Sequence, residues 1–165
     1  MKDIFTYVIL IFNDKTVVKT VVNAGGEMKD KIKKILELKK EKGAAILAHY
    51  YVNDEVQEIA DYVGDSYYLS EIAQKLDEKV IVMCGVFFMG ESVKILNPEK
   101  TVLVPDENAD CPCTYADIDK VKEVREKYED VAVVCYVNST AELKAASDIC
   151  VTSANALKIV KKTSK

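Results

Sequence analysis

The sequence predicts an α/β protein with a parallel sheet between two helical layers, a three-layer α/β/α arrangement. Three observations carry this. The apolar runs "AAILA", "VIVMCG", "TVLVP" and "VAVVCYV" lack polar alternation, so both faces of these strands should be covered. Charged stretches with apolar residues at helical spacing separate them. The chain also repeats its own order of strand, turn and helix.

The elements follow in order. Residues 29–42 set Ile32, Ile35, Leu36 and Leu38 at helical spacing among charges, and Gly43 stops that helix. The strand 44–48 is followed by a helix over 54–63, opened by Asp54 and Glu55, whose charge suits a helix N-terminus. A helix over 66–76 has Ser66 as its expected cap. Strand 80–85, helix 88–96 ending at Asn97-Pro98, and strand 101–105 come next. Beyond the loop "DENADCPC" the pattern predicts a helix over 115–128, a strand over 131–137, a helix over 140–147, an extended 148–153 and a helix over 154–162.

"YVN" occurs at 51–53 and again at 136–138, each time after an apolar strand. With two extra residues allowed in the second turn, Glu55, Asp61 and Ser66 align with Glu142, Asp148 and Ser153. The expected domains are an N-terminal extension (1–27), a first repeat (28–129) and an incomplete second repeat (130–165). A repeat that stops this early cannot close its sheet, so either another copy of the chain completes it or the chain is a piece of a longer protein, and the second is the expectation.

Composition narrows the function classes. A net charge of −4, with the 23 basic residues spread out, gives no footprint for nucleic acid. "FTYVILIF" (5–12) is too short to span a bilayer, so no membrane partner is expected. Five cysteines, an odd number, without a secretory pattern point to the cytoplasm, where a special cysteine serves as a thiol or metal ligand.

In parallel α/β sheets, ligands gather beyond the carboxyl ends of the strands. His49, the only histidine, and Tyr51 fall there, as do Tyr136 and Asn138. Ser66 and Ser153 fall at expected helix starts, where a hydroxyl beside free N–H groups suits a phosphate or carboxylate. The pattern describes an anion site with an acid/base group beside it. Read singly, each residue also has a plain role: a packed histidine, two N-caps, wet tyrosines. "ADCPC" puts Cys111 and Cys113 beyond the third strand, as thiols or as a single ligand to a cluster completed elsewhere. Cys84, Cys135 and Cys150 lie in apolar runs, where packing is the default.

The stretches "ILAHYYVNDEVQEIADYVGDS", "CGVFFMGESVKILNPEKTVLVPD" and "VVCYVNSTAELKAASDICVTSANA" resemble quinolinate synthase over residues 28–162. The resemblance implies three related α/β/α domains about a pseudo-three-fold axis, of which this chain holds the first and the start of the second. It implies a [4Fe–4S] cluster with one cysteine from each domain, and condensation of iminoaspartate with dihydroxyacetone phosphate to quinolinate. By resemblance, His49, Tyr51 and Tyr136 are catalytic, and Ser66, Asn138 and Ser153 hold substrate. Cys111 is the metal ligand, with Cys113 as the alternative, and the remaining two cysteine ligands are not in this chain. The resemblance leaves 1–27 uncovered, and Met28 after "GGE" is the expected start. Two further readings stand beside it. One is a non-catalytic truncated paralogue acting as a small-anion binding or interaction module; the other is a thiol redox protein using Cys111 and Cys113, disfavoured because the pair lacks Cys-x-x-Cys spacing.

Overall fold

The computed structural model of the chain describes residues 28–111 and 116–163. The readings of "FTYVILIF", Cys113 and the first residue of the helix expected at 115 lie outside them. The described chain falls into two compact units, one ending at Asp110 and one beginning at Cys111.

The first unit runs α1 (Met28–Lys42), β1 (Ala44–His49), α2 (Asp54–Ile59), β2 (Tyr62–Gly64), α3 (Ser66–Lys75), β3 (Val80–Cys84), α4 (Phe87–Leu96) and β4 (Thr101–Leu103). Its strands form one parallel sheet in the order β2-β1-β3-β4. β1 is buried throughout, as its unbroken apolar run requires. Ile46, Ala48, Val82 and Cys84 pack with Ile35 and Leu38 of α1 and Val56 and Ile59 of α2. Ala45, Leu47, Ile81 and Met83 alternate with them and face the other side. The right-handed crossover rule puts α3 and α4 there, since the chain steps outward from β1 to β2 and then back across to β3 and β4. Gly43 closes α1 with φ +55°, a left-handed turn that a side chain would strain.

The helix expected over 54–63 stops at Ile59, and β2 begins at Tyr62. Asp61 causes the break. Its N–H donates to the Ile46 carbonyl (2.8 Å), and its carboxylate accepts from the Ile46 N–H (2.8 Å) and from Lys39 Nζ (2.7 Å). These bonds draw the chain onto the edge of β1 and start a strand, which local periodicity cannot reveal.

Lys100 is buried, with its ammonium donating to the carbonyls of Ala73 (2.6 Å) and Leu76 (2.5 Å) at the end of α3. A cation at a helix C-terminus satisfies carbonyls that the helix itself leaves open. Lys100→Ala is expected to destabilise the unit by about 3 kcal/mol, because buried acceptors lose a charged donor. A lower urea midpoint at constant m-value would register this; an unchanged midpoint would show that water replaces the ammonium without loss.

The second unit holds α5 (Ile118–Lys127), β5 (Val134–Tyr136), α6 (Ala141–Ala145), β6 (Ile149–Val151) and α7 (Ala156–Thr163), with β5 and β6 parallel. It repeats the hydrogen bonding of the first unit at a constant shift of 87 residues, as from 46 to 133 and from 61 to 148. Asp148 N–H donates to the Val133 carbonyl (2.9 Å), and the Asp148 carboxylate accepts from the Val133 N–H (2.7 Å) and from Arg125 (2.9 Å). Val137 N–H donates to Val151 as Tyr50 N–H does to Gly64. These bonds to Val133 and Arg125 hold the Asp148 carboxyl below its usual range.

One correction follows. The two extra residues allowed in the second turn are absent: Tyr136 stands where His49 stands, and Asn138 where Tyr51 stands, so the recurring "YVN" is a coincidence of letters. α5, in the unit that begins at Cys111, supplies Arg125 to Asp148 as α1 supplies Lys39 to Asp61.

Candidate functional site

His49 is the last residue of β1, buried to 8% exposure. The chain turns at once: Val52 N–H donates to the His49 carbonyl (3.0 Å), and the Gln57 amide donates to the carbonyls of Tyr50 (3.2 Å) and Val52 (2.8 Å). This pinned turn stacks Tyr50 on the imidazole at 4.4 Å and tilts Tyr51 against it at 4.6 Å. Tyr51 itself is 81% exposed.

The Tyr51 N–H donates to His49 Nδ1 (3.3 Å), so the neutral ring carries its proton on Nε2. Burial lowers the His49 pKa from its usual value, and the Asp65 carboxylate partly opposes that shift. The group at the carboxyl end of the sheet is therefore a neutral imidazole with a donor nitrogen, beside an exposed phenol. That pair can donate or accept a proton and hydrogen-bond a polar ligand.

Ser66 lies two residues beyond Gly64, the register partner of His49. It is not the cap of α3. Asp65 is, with its carboxylate accepting from the Tyr68 N–H (2.8 Å), while Ser66 is the first helical residue. A carboxylate at that helix start already uses its positive end, so the backbone there does not favour a second anion. Adjacent Asp and Ser are both good caps, and the sequence alone does not choose between them.

The second unit follows the same plan. Tyr136 ends β5 and is half-exposed, Asn138 follows in the turn, and Ser153 lies two residues beyond Val151, the register partner of Tyr136. The helix expected from 154 begins at Ala156, so Ser153 sits in a turn, where Thr152 N–H donates to the Asn155 side chain (2.8 Å). A hollow of about 300 Å³ opens beside Tyr136 and Asn138, walled by Val121, Val134 and Leu143.

The structure thus brings His49 and Tyr51 into ring contact and lines one hollow with Tyr136 and Asn138, while Ser66 and Ser153 follow the paired strands β2 and β6. Among the cysteines, Cys84 is sealed in the core on β3, and burial pushes its thiol up to about 12. Cys150, expected in the core, is exposed on the edge strand. Cys111 is half-buried. Two residues before it, the Ala109 carbonyl accepts from the Phe87 N–H (2.7 Å) at the start of α4. Sequence reasoning missed Asp65, Lys100 and Arg125. Asp65 was legible as a capping residue, but the long-range partners of Lys100 and Arg125 leave no local signal.

Comparison with known proteins gives the family. The family model described as "Quinolinate synthetase A protein" matches residues 33–165. A quinolinate synthase of Fusobacterium nucleatum subsp. nucleatum is 65% identical over 136 residues, 82% of this chain and 45% of that protein. Those of Clostridium perfringens and Clostridioides difficile are 58% and 56% identical over 76% and 80% of this chain, covering 42% and 44% of theirs. The chain thus spans less than half the length of these curated relatives. Among the described residues, no helix is long and apolar enough to cross a membrane. The family match covers both units and every candidate residue from His49 to Ser153, and the chain belongs to the quinolinate synthetase A protein family.

Proposed function

We propose that this chain forms part of a quinolinate synthase that condenses iminoaspartate with dihydroxyacetone phosphate in the cytoplasm. The observation that carries this is the neutral, Nε2-protonated His49 at the carboxyl end of β1, with Tyr51 against it, in a chain of this family. His49 and Tyr51 serve proton transfer at the substrate, with Nε2 as the donor and the Tyr51 hydroxyl as its exposed neighbour. Tyr136 plays the same part in the second unit, at the register position of His49. Ser66, Asn138 and Ser153 bind the carboxylate and phosphate oxygens through their own side chains.

The residues also fit one thiolate of the family's [4Fe–4S] cluster. Cys111 is a half-buried loop thiol, whereas Cys84 is sealed in the core and Cys135 and Cys150 contact each other. The described residues hold no group of three or more metal-binding side chains; on this reading the other thiolates belong to the rest of the complete protein. When bound, the cluster supplies a Lewis-acidic iron.

The test is an anaerobic assay of the chain joined to the remaining length its relatives carry. Quinolinate formed from both substrates supports the reading. If the protein bound small dicarboxylates without iron and formed no quinolinate, the small-anion binding reading would replace it.

A further inference from the structure

Cys135 and Cys150 are register partners on the parallel strands β5 and β6, so both side chains leave the same face of the sheet. Their sulfurs are 3.5 Å apart. Neighbouring strands run about 4.8 Å apart, and a disulfide needs Cα atoms roughly 4.4–6.8 Å apart. The backbone is therefore already spaced for a bond, and the two sulfurs need only close to about 2.0 Å.

Their exposures divide the roles. Cys135 is 6% exposed, while Cys150 lies open on the edge strand. The first unit, whose sheet carries four strands, indicates that this division persists when a sheet extends on the far side. At the constant shift of 87 residues, Ala48 stands for Cys135 and is fully buried, while Val63 stands for Cys150 and remains 40% exposed.

We propose that Cys135 and Cys150 form a cross-strand dithiol that closes to a disulfide by exchange with a small-molecule disulfide, making β5–β6 a site of reversible oxidation. Cys150, as thiolate, attacks the external disulfide and releases one small thiol. The Cys135 sulfur then attacks the Cys150 sulfur of the mixed disulfide and releases the second. The protein loses two electrons and two protons, and the reagent gains them as two thiols. Burial and the contact with Cys135 push the Cys150 thiol up, so the first step accelerates as pH rises. The bond would lock the strand that ends in Tyr136 to the edge strand.

Oxidised glutathione added to the full chain tests this, read by thiol titration and by peptide mapping without reductant. The expected result is loss of two titratable thiols and a peptide linking Cys135 to Cys150, reversed by excess reduced thiol. Cys135→Ser should stop at a stable mixed disulfide on Cys150, and Cys150→Ser should leave Cys135 unmodified. In urea the pairing should scatter among all five cysteines. A wild-type reaction that stops at the mixed disulfide, a native pairing through Cys111, or the same scatter in buffer and in urea would overturn the proposal.

Discussion

Replacing Cys111 by serine in the complete protein is expected to strip it of nearly all its iron and of the visible absorbance of the cluster, with quinolinate formation lost in parallel. A serine hydroxyl is not ionised near neutral pH and is a poor ligand for iron, so each cluster thiolate is required. The loss should exceed the roughly 10- to 100-fold cost of removing a residue that merely supports a ligand. Cys113→Ser and Cys84→Ala should keep their iron. Iron retained in Cys111→Ser and lost in Cys113→Ser would transfer the role to Cys113.

His49→Ala is expected to reduce kcat by about 100- to 10,000-fold, the usual worth of a positioned acid or base. Cluster content should stay intact, since His49 is held by Tyr51 and the Gln57-pinned turn and by no thiol. The effect should fall on kcat more than on KM, because a proton donor acts chiefly in the transition state. Steady-state assays at matched iron content would measure it. A change confined to KM would reduce His49 to a positioning residue.

Much of this was legible in the sequence, for identifiable reasons. The run before His49 announced a strand buried on both faces, and β1 is that strand. A ligand rim at the carboxyl ends of parallel strands then follows from topology alone, which is why His49, Tyr51 and Tyr136 could be named. Most of the errors share one cause, contacts distant in sequence that overrode local pattern; the cap of α3 is a local exception. The bonds from Asp61 to Ile46 converted the end of a predicted helix into β2. Tyr68 N–H chose Asp65 over Ser66 as cap. Matching letters aligned Tyr51 with Tyr136, whereas the strand hydrogen bonds align His49 with Tyr136. Cys150 read as core because its neighbours are apolar, yet it is exposed on β6 while its register partner Cys135 is buried.

The account turns on a proton: the imidazole beyond β1 stays neutral and keeps its hydrogen on Nε2. Burial favours the uncharged ring, so this group's contribution to stability is present above its usual pKa of about 6.5 and is lost as pH falls through the lower folded value. Because the chain has a single histidine, its ring signals in a nitrogen- and carbon-labelled sample belong to His49 without further assignment. An NMR titration should show the Nε2-protonated form at neutral pH and a midpoint below 6.5; a midpoint at or above 6.5, or a ring protonated on Nδ1, would contradict the account.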